Sequence, residues 1–190
     1  MAFSEKKLIL ASASPRRREL LAKCTERFTV EAADIEEMMN PQKPLSEEIQ
    51  KLAKAKAAAV YAKHPEALVL GSDTIVVLNG EVLGKPVDAD DAVRMLKEIS
   101  GKTHQVLTGV CLLGPGFCQT DVSVSHVTFA AMSEAEIREY AASGDPLDKA
   151  GAYGIQSMAA RYITGIEGDY YAIMGLPVHL VYELLKQAGF

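Results

Sequence analysis

Cysteine is scarce in this chain, tryptophan is absent, and only four histidines occur among 190 residues. Cys24, Cys111 and Cys118 are odd in number and lack metal-ligand spacing, which argues against a disulfide framework and for reduced thiols in a cytoplasmic protein. His64, His104, His126 and His179 are scattered and follow no zinc pattern. No stretch approaches the ~20 apolar residues of a membrane span, and the apolar run before Ser12 is too short for a secretion signal. Neither Gly-x-x-x-x-Gly-Lys-Ser/Thr nor Gly-x-Gly-x-x-Gly occurs, so the P-loop and the dinucleotide fingerprint are both missing. There is no repeat, no low-complexity tract and no long linker. Basic excess is lacking too: 20 Lys and Arg against 25 Asp and Glu leave a net charge of -5, which argues against non-specific nucleic-acid binding. Any recognition of phosphate must therefore be local, built from a few lysines and arginines in an acidic envelope.

What is present is an ordinary globular composition, 48% hydrophobic and 24% charged, enough for a full core. The length fits one domain over 1–190, of generous size, or two small lobes around a cleft. Periodicity predicts a strand over 7–11, a helix over 15–23 and a strand over 28–32, then a polar loop from Asp34 to Leu45. Ser46 is placed to cap a helix whose apolar residues Ile49, Leu52, Ala53, Ala57 and Val60 share one face. An apolar strand over 67–70 is followed by extended chain over 74–78. Asn79-Gly80 is a strong hairpin signal, because that pair accepts the positive φ angles of a type I′ turn. A helix over 88–99 and two long β-type runs, 103–113 and 117–130, come next. Ser133-Glu-Ala-Glu136 is a capping box opening a helix that ends near Gly144, and a last helix begins at Pro177. Glycines and a proline make the region between 144 and 154 irregular. The fold class is mixed α/β, with long central strands, and differs from a plain doubly wound sheet.

Leu8-Ile-Leu-Ala-Ser-Ala-Ser-Pro-Arg-Arg-Arg18 is the most informative stretch. An apolar strand runs into a small-residue turn, and a helix then starts at Pro15 with Ser14 outside it as a cap. Three arginines in the first turn oppose the helix dipole, a conflict that a phosphate would relieve. Gly71-Ser-Asp-Thr74 ends an apolar run, where an α/β sheet gathers its ligands. Asp73 there could hold a divalent cation or accept a proton from water, or it could simply make a turn with its own backbone. Lys85 follows the hairpin and would return toward the same rim. By pattern alone Lys56 reads as a solvated helix lysine, like Lys51, Lys54 and Lys63. Asp34, Glu36 and Glu37 form an acidic loop cluster suited to magnesium, or merely solvated. Tyr153 and Gln156 lie in a glycine-rich stretch and could recognise a planar, hydrogen-bonding group such as a base; an amide with both donor and acceptor matches the edge of a pyrimidine.

Six stretches together resemble a known family. They are Ser12-Ala-Ser-Pro-Arg-Arg17, Gly71-Ser-Asp-Thr-Ile-Val76, Asn79-Gly-Glu-Val-Leu-Gly-Lys-Pro86, Ser100-Gly-Lys-Thr-His-Gln-Val106, Asp148-Lys-Ala-Gly-Ala-Tyr-Gly-Ile-Gln156 and Gly175-Leu-Pro177. In this order, over nearly the whole chain, they resemble the Maf nucleoside triphosphate pyrophosphatases, and the Ser-Pro-Arg-Arg and glutamine motifs look like the dTTP/UTP branch. One departure is Ser157, where a glycine often follows the glutamine. The resemblance implies a fold like that of the inosine triphosphate pyrophosphatases, with two lobes around a deep cleft. It implies hydrolysis to a nucleoside monophosphate and pyrophosphate with a divalent cation, Mg2+ or Mn2+, and Glu37 and Asp73 as its ligands. Asp73 matches the family's proton acceptor, while Arg16, Thr74 and Gln156 match positions tied to substrate choice. Ser12, Arg17, Glu37, Lys56 and Lys85 match other cleft residues. A homodimer is common in the family. Its link to septum formation leaves open a second reading, a nucleotide-binding regulator of cell division without turnover; a phosphatase releasing orthophosphate is a third.

Overall fold

A computed structural model describes residues 6–190, so the first five residues of the stretch weighed as a possible leader lie outside it. Seven strands form one mixed sheet: β1 (Leu8–Leu10), β2 (Thr29–Val30), β3 (Leu68–Leu78), β4 (Glu81–Leu83), β5 (Thr103–Gly114), β6 (Phe117–Phe129) and β7 (Ile163–Glu167). Their order is β2-β1-β3-β5-β6-β7, with β4 paired to β3. The helices are α1 (Pro15–Leu21), α2 (Leu45–Tyr61), α3 (Ala89–Ile99), α4 (Glu134–Ala142), α5 (Tyr170–Met174) and α6 (Val178–Gln187). This is the mixed α/β class with a long central sheet. Among the described residues no helix is long and apolar enough to cross a membrane.

The chain parts into two compact units. The first holds the described part of Met1–Asp73 with Thr108–Ser123 and Gly175–Phe190; the second holds Thr74–Leu107 and Val124–Met174. In the first unit β1 pairs in parallel with both β2 and β3. Its core joins Ile9, Ala11, Val69 and Cys111 of the sheet region to Ala53, Ala57 and Val60 of α2. The helix lies very close to the strands. A Cβ on Gly71 would meet the Ala53 carbonyl oxygen at 2.1 Å, and one on Gly109 the Ile49 carbonyl oxygen at 2.5 Å, so only glycine permits the approach. In the second unit Leu96 and Ile99 of α3, Tyr140 of α4, Phe129 of β6 and Tyr153 pack in one core.

Local signals and local structure agree at several places. Asn79 and Gly80 have φ of 52° and 82°, and the turn aligns Leu78 with Glu81. The capping box at Ser133 and Glu136 forms in full, and Ser14 caps α1. Other expectations are corrected. Ser46 does not cap α2, which begins one residue earlier after Pro44 without a side-chain cap. The runs 67–70 and 74–78 are one uninterrupted strand, because Gly71-Ser72-Asp73 stays extended against α2. β7 and α5 were not anticipated: β7 is a mostly exposed edge strand containing a glycine, and α5 is a short helix capped by Asp169, whose Oδ1 accepts the Tyr171 and Ala172 N–H groups at 2.8 and 3.1 Å.

Candidate active site

The parallel register of β1 and β3 builds the centre of the first unit. Leu10 aligns with Leu70, and Ala11 donates its N–H to the Leu70 carbonyl at 2.8 Å. The chain beyond β1, Ser12 to Arg17, therefore emerges beside Gly71-Ser72-Asp73. There β1 has ended, while β3 continues to its antiparallel pairing with β4 from Val76 onward. Asp73 thus sits inside a long strand, at the place where its parallel neighbour runs out, and not at a strand end as the sequence suggested.

Three charged side chains meet at this place. The Lys56 ammonium donates to Asp73 Oδ1 at 2.9 Å and lies 2.7 Å from Glu37 Oε1. Lys56 and Asp73 are 8% and 9% exposed, so their charges are poorly hydrated and each depends on the other. This overturns the reading of Lys56 as a solvated lysine. Its position is legible after all: Ile49, Leu52, Ala53, Ala57 and Val60 mark the buried stripe of α2, and residue 56 falls on it. Glu37 is exposed, on a loop tied to α2 where the Asn40 N–H donates to the buried Glu48 carboxylate at 2.6 Å. Asp34 and Glu36 are exposed on the same loop.

Arg17 completes the group. Its Nε donates to the Gly175 carbonyl at 2.8 Å, and the Ser72 hydroxyl donates to the same oxygen at 3.2 Å. Burial pulls the Arg17 pKa down, Asp73 opposes that, Arg16 adds to it and Glu37 again opposes it. The arginine-rich entrance and the acidic residue of β3 are therefore electrostatic neighbours. Ser12 is buried and accepts the Ser14 N–H at 3.1 Å, which shapes the turn before α1. The structure so brings Ser12, Arg16, Arg17, Glu37, Lys56 and Asp73 into one unit. Ser72 and the Gly175 carbonyl were not anticipated as site groups; only the Gly-Ser-Asp-Thr and Gly-Leu-Pro stretches pointed to them.

Thr74, Lys85 and Gln156 belong to the second unit. Thr74 follows Asp73 directly in β3 and is half-buried, whereas Lys85 and Gln156 are exposed. Gly151 donates its N–H to the Gly84 carbonyl at 3.1 Å, which joins the segment before Lys85 to the glycine-rich stretch before Gln156. Tyr153 is buried, and its hydroxyl meets His104 Nε2 at 2.6 Å. This corrects the expectation that Tyr153 faces a base: the ring packs edge-on against Phe129 in the core.

A family model described as Maf-like protein matches residues 7–188. The chain belongs to the Maf family. A dTTP/UTP pyrophosphatase of Koribacter versatilis is 50% identical over 182 residues, 96% of this chain and 94% of that one. One from Myxococcus xanthus is 49% identical, covering 96% of this chain and 92% of its own. The structure of the Staphylococcus aureus Ham1 protein is similar in fold, with a TM-score of 0.55 at 15% identity, covering 96% of this chain and all of that one.

The donor set of this Maf chain suits a small hard cation that brings ligands of its own. Among the described residues no group of three His, Cys, Asp or Glu side chains could cage a metal. Two carboxylates do converge on one positive charge, that of Lys56. Magnesium is commonly held by one or two carboxylates, with water and substrate phosphate completing its shell. Glu37 and Asp73 fit that pattern.

Proposed function

We propose that this chain is a nucleoside triphosphate pyrophosphatase that hydrolyses dTTP and UTP, and related modified pyrimidine nucleotides, to the monophosphate and pyrophosphate. The observation that carries the reading is the buried Lys56–Asp73 pair, with Arg17 beside it and Glu37 on the same ammonium. A carboxylate fixed at such a place can orient a water and take its proton. Relatives named dTTP/UTP pyrophosphatase, at 50% and 49% identity over nearly the whole chain, supply the substrate class.

In this reading Asp73 orients a water and takes its proton as the oxygen attacks the α-phosphorus. The bond from that phosphorus to the α–β bridging oxygen breaks, and pyrophosphate leaves with the bridging oxygen. Arg16, Arg17, Lys56 and Lys85 neutralise the triphosphate, and Ser12 bonds to it; such reactions depend mainly on positioning and electrostatics. Glu37 and Asp73 would hold a divalent cation, Mg2+ or Mn2+, which would supply further charge neutralisation and lower the pKa of a water. Thr74 and Gln156 select the base. In this reading the chain acts as a single domain in the cytoplasm.

The test is a panel of nucleoside triphosphates incubated with magnesium or manganese, with the products resolved. Monophosphate plus pyrophosphate from dTTP and UTP is the expected outcome. Orthophosphate release would indicate a phosphatase, and binding without turnover would indicate a regulator; either rejects the proposal.

A further inference from the structure

Glu37 and Asp73 cannot share a metal ion without meeting the cation that already lies between them. The Lys56 ammonium is 2.7 Å from Glu37 Oε1 and 2.9 Å from Asp73 Oδ1, so it bridges the two carboxylates as a shared ion would. Each carboxylate has a second oxygen, but an ion bound there would still face the ammonium at close range, like charge against like charge.

Lys56 has little freedom to withdraw. The helix that carries it is pressed onto β3: a Cβ on Gly71 would meet the Ala53 carbonyl oxygen at 2.1 Å and the Ala57 nitrogen at 2.8 Å. The side chain is only 8% exposed, so leaving Asp73 without finding another anion would strand a poorly hydrated charge. The formal charges add to the obstacle. Two carboxylates face two cations, Lys56 and Arg17, and Arg16 lies near enough to act on Arg17 as well. Arg17 is itself fixed, through the bond from its Nε to the Gly175 carbonyl at 2.8 Å. Among the described residues no third His, Cys, Asp or Glu joins the pair. A divalent cation arriving alone therefore meets a place whose negative charge is already offset. A triphosphate alters both conditions, because its oxygens offer Lys56 new acceptors and offer the ion further ligands.

We propose that Lys56 is a built-in counter-ion of the Glu37–Asp73 pair, which keeps divalent cations off it until a triphosphate arrives, so that nucleotide and cation enter together. The inference rests on the proposed reading of Glu37 and Asp73 as cation ligands, and gives Lys56 a task besides neutralising phosphate.

The probe is Mn2+ alone, titrated without nucleotide into the whole protein and followed by the paramagnetic resonance signal of the free ion. Lys56→Met removes the charge but keeps much of the side chain's length. It should bind one Mn2+ at least about tenfold more tightly than the wild type, since neither repulsion nor displacement of the ammonium then opposes binding. Its melting temperature should also rise with Mn2+ by more than that of the wild type. Lys56→Arg keeps a cation and should bind as weakly as the wild type, and adding Glu37→Gln to Lys56→Met should remove the gain. Lys56→Gln takes the place of Lys56→Met if the latter does not melt cooperatively. Equal or weaker binding by the folded neutral variant overturns the inference, as does a gain shared by Lys56→Arg or one that survives Glu37→Gln. Pyrophosphate release from UTP is measured separately on the wild type. Turnover beside a failed Mn2+ comparison sinks this inference alone, whereas a tighter neutral variant without wild-type turnover sinks the pyrophosphatase reading and leaves the lysine's role standing.

Discussion

Asp73 carries the sharpest expectation at the scale of single residues. If it accepts the proton of the attacking water, Asp73→Asn slows turnover by ~10²–10⁴-fold. The measurement is pyrophosphate release from UTP, with binding of a non-hydrolysable analogue as the control; turnover within a few-fold of the wild type rejects the role. His104 makes a separate prediction, about stability. It is 2% exposed, its Nδ1 has no hydrogen-bond partner among the described residues, and burial lowers its pKa to about 4. The unfolded chain binds this proton near pH 6.5, but the folded chain binds it only near pH 4, so protonation favours unfolding between those values. Stability then falls from pH 6.5 toward pH 4, by on the order of 3 kcal/mol in the limit, and is flat in this respect above pH 6.5. Urea midpoints at pH 7 and pH 5 check it: His104→Gln should narrow the difference between them. An unchanged difference would assign the acid sensitivity to other groups.

Single elements hold the site together through close approach. Gly71 allows α2 to lie directly over β3, and the same contact seats Lys56 near Asp73. Gly71→Ala would drive a methyl group into the α2 backbone, so the expected cost is about 1–3 kcal/mol or more, seen as a lower melting temperature. Activity should fall as well, since the helix that carries Lys56 must shift. A variant with wild-type melting and turnover would show that the helix has room. The capping box of α4 is a milder case. Ser133→Ala removes an N-cap in the second unit and should cost about 1 kcal/mol, lowering the melting temperature by a few degrees while leaving kcat unchanged. Element boundaries were legible wherever local chemistry decides them, as at the Asn79-Gly80 turn and the cap at Ser14. They were not legible at Gly71-Ser72-Asp73, where small and polar residues suggest a break that packing against α2 removes.

For the molecule as a whole the net charge is -5, while Arg17, Lys56, Asp73 and Glu37 gather in one place. If the proposed divalent cation takes part, the protein should lose turnover on treatment with a chelator and regain it with magnesium or manganese. Its melting temperature should hardly move, because each unit has an apolar core of its own. Full activity in excess chelator would remove the cation from the proposal. What the sequence alone determined is what short-range chemistry controls: the α/β class, the caps at Ser14 and Ser133, the hairpin, the net acidic charge, and the motifs of the Maf family. Only the tertiary structure could decide that Asp73 is the partner of Lys56, that Tyr153 belongs to the core, and that Asp145 holds the turn beneath Gln156. Those contacts join residues far apart or on different elements, and in the first unit their cause is the register of β1 on β3 and the close approach of α2 to β3. No local pattern of side chains records such geometry.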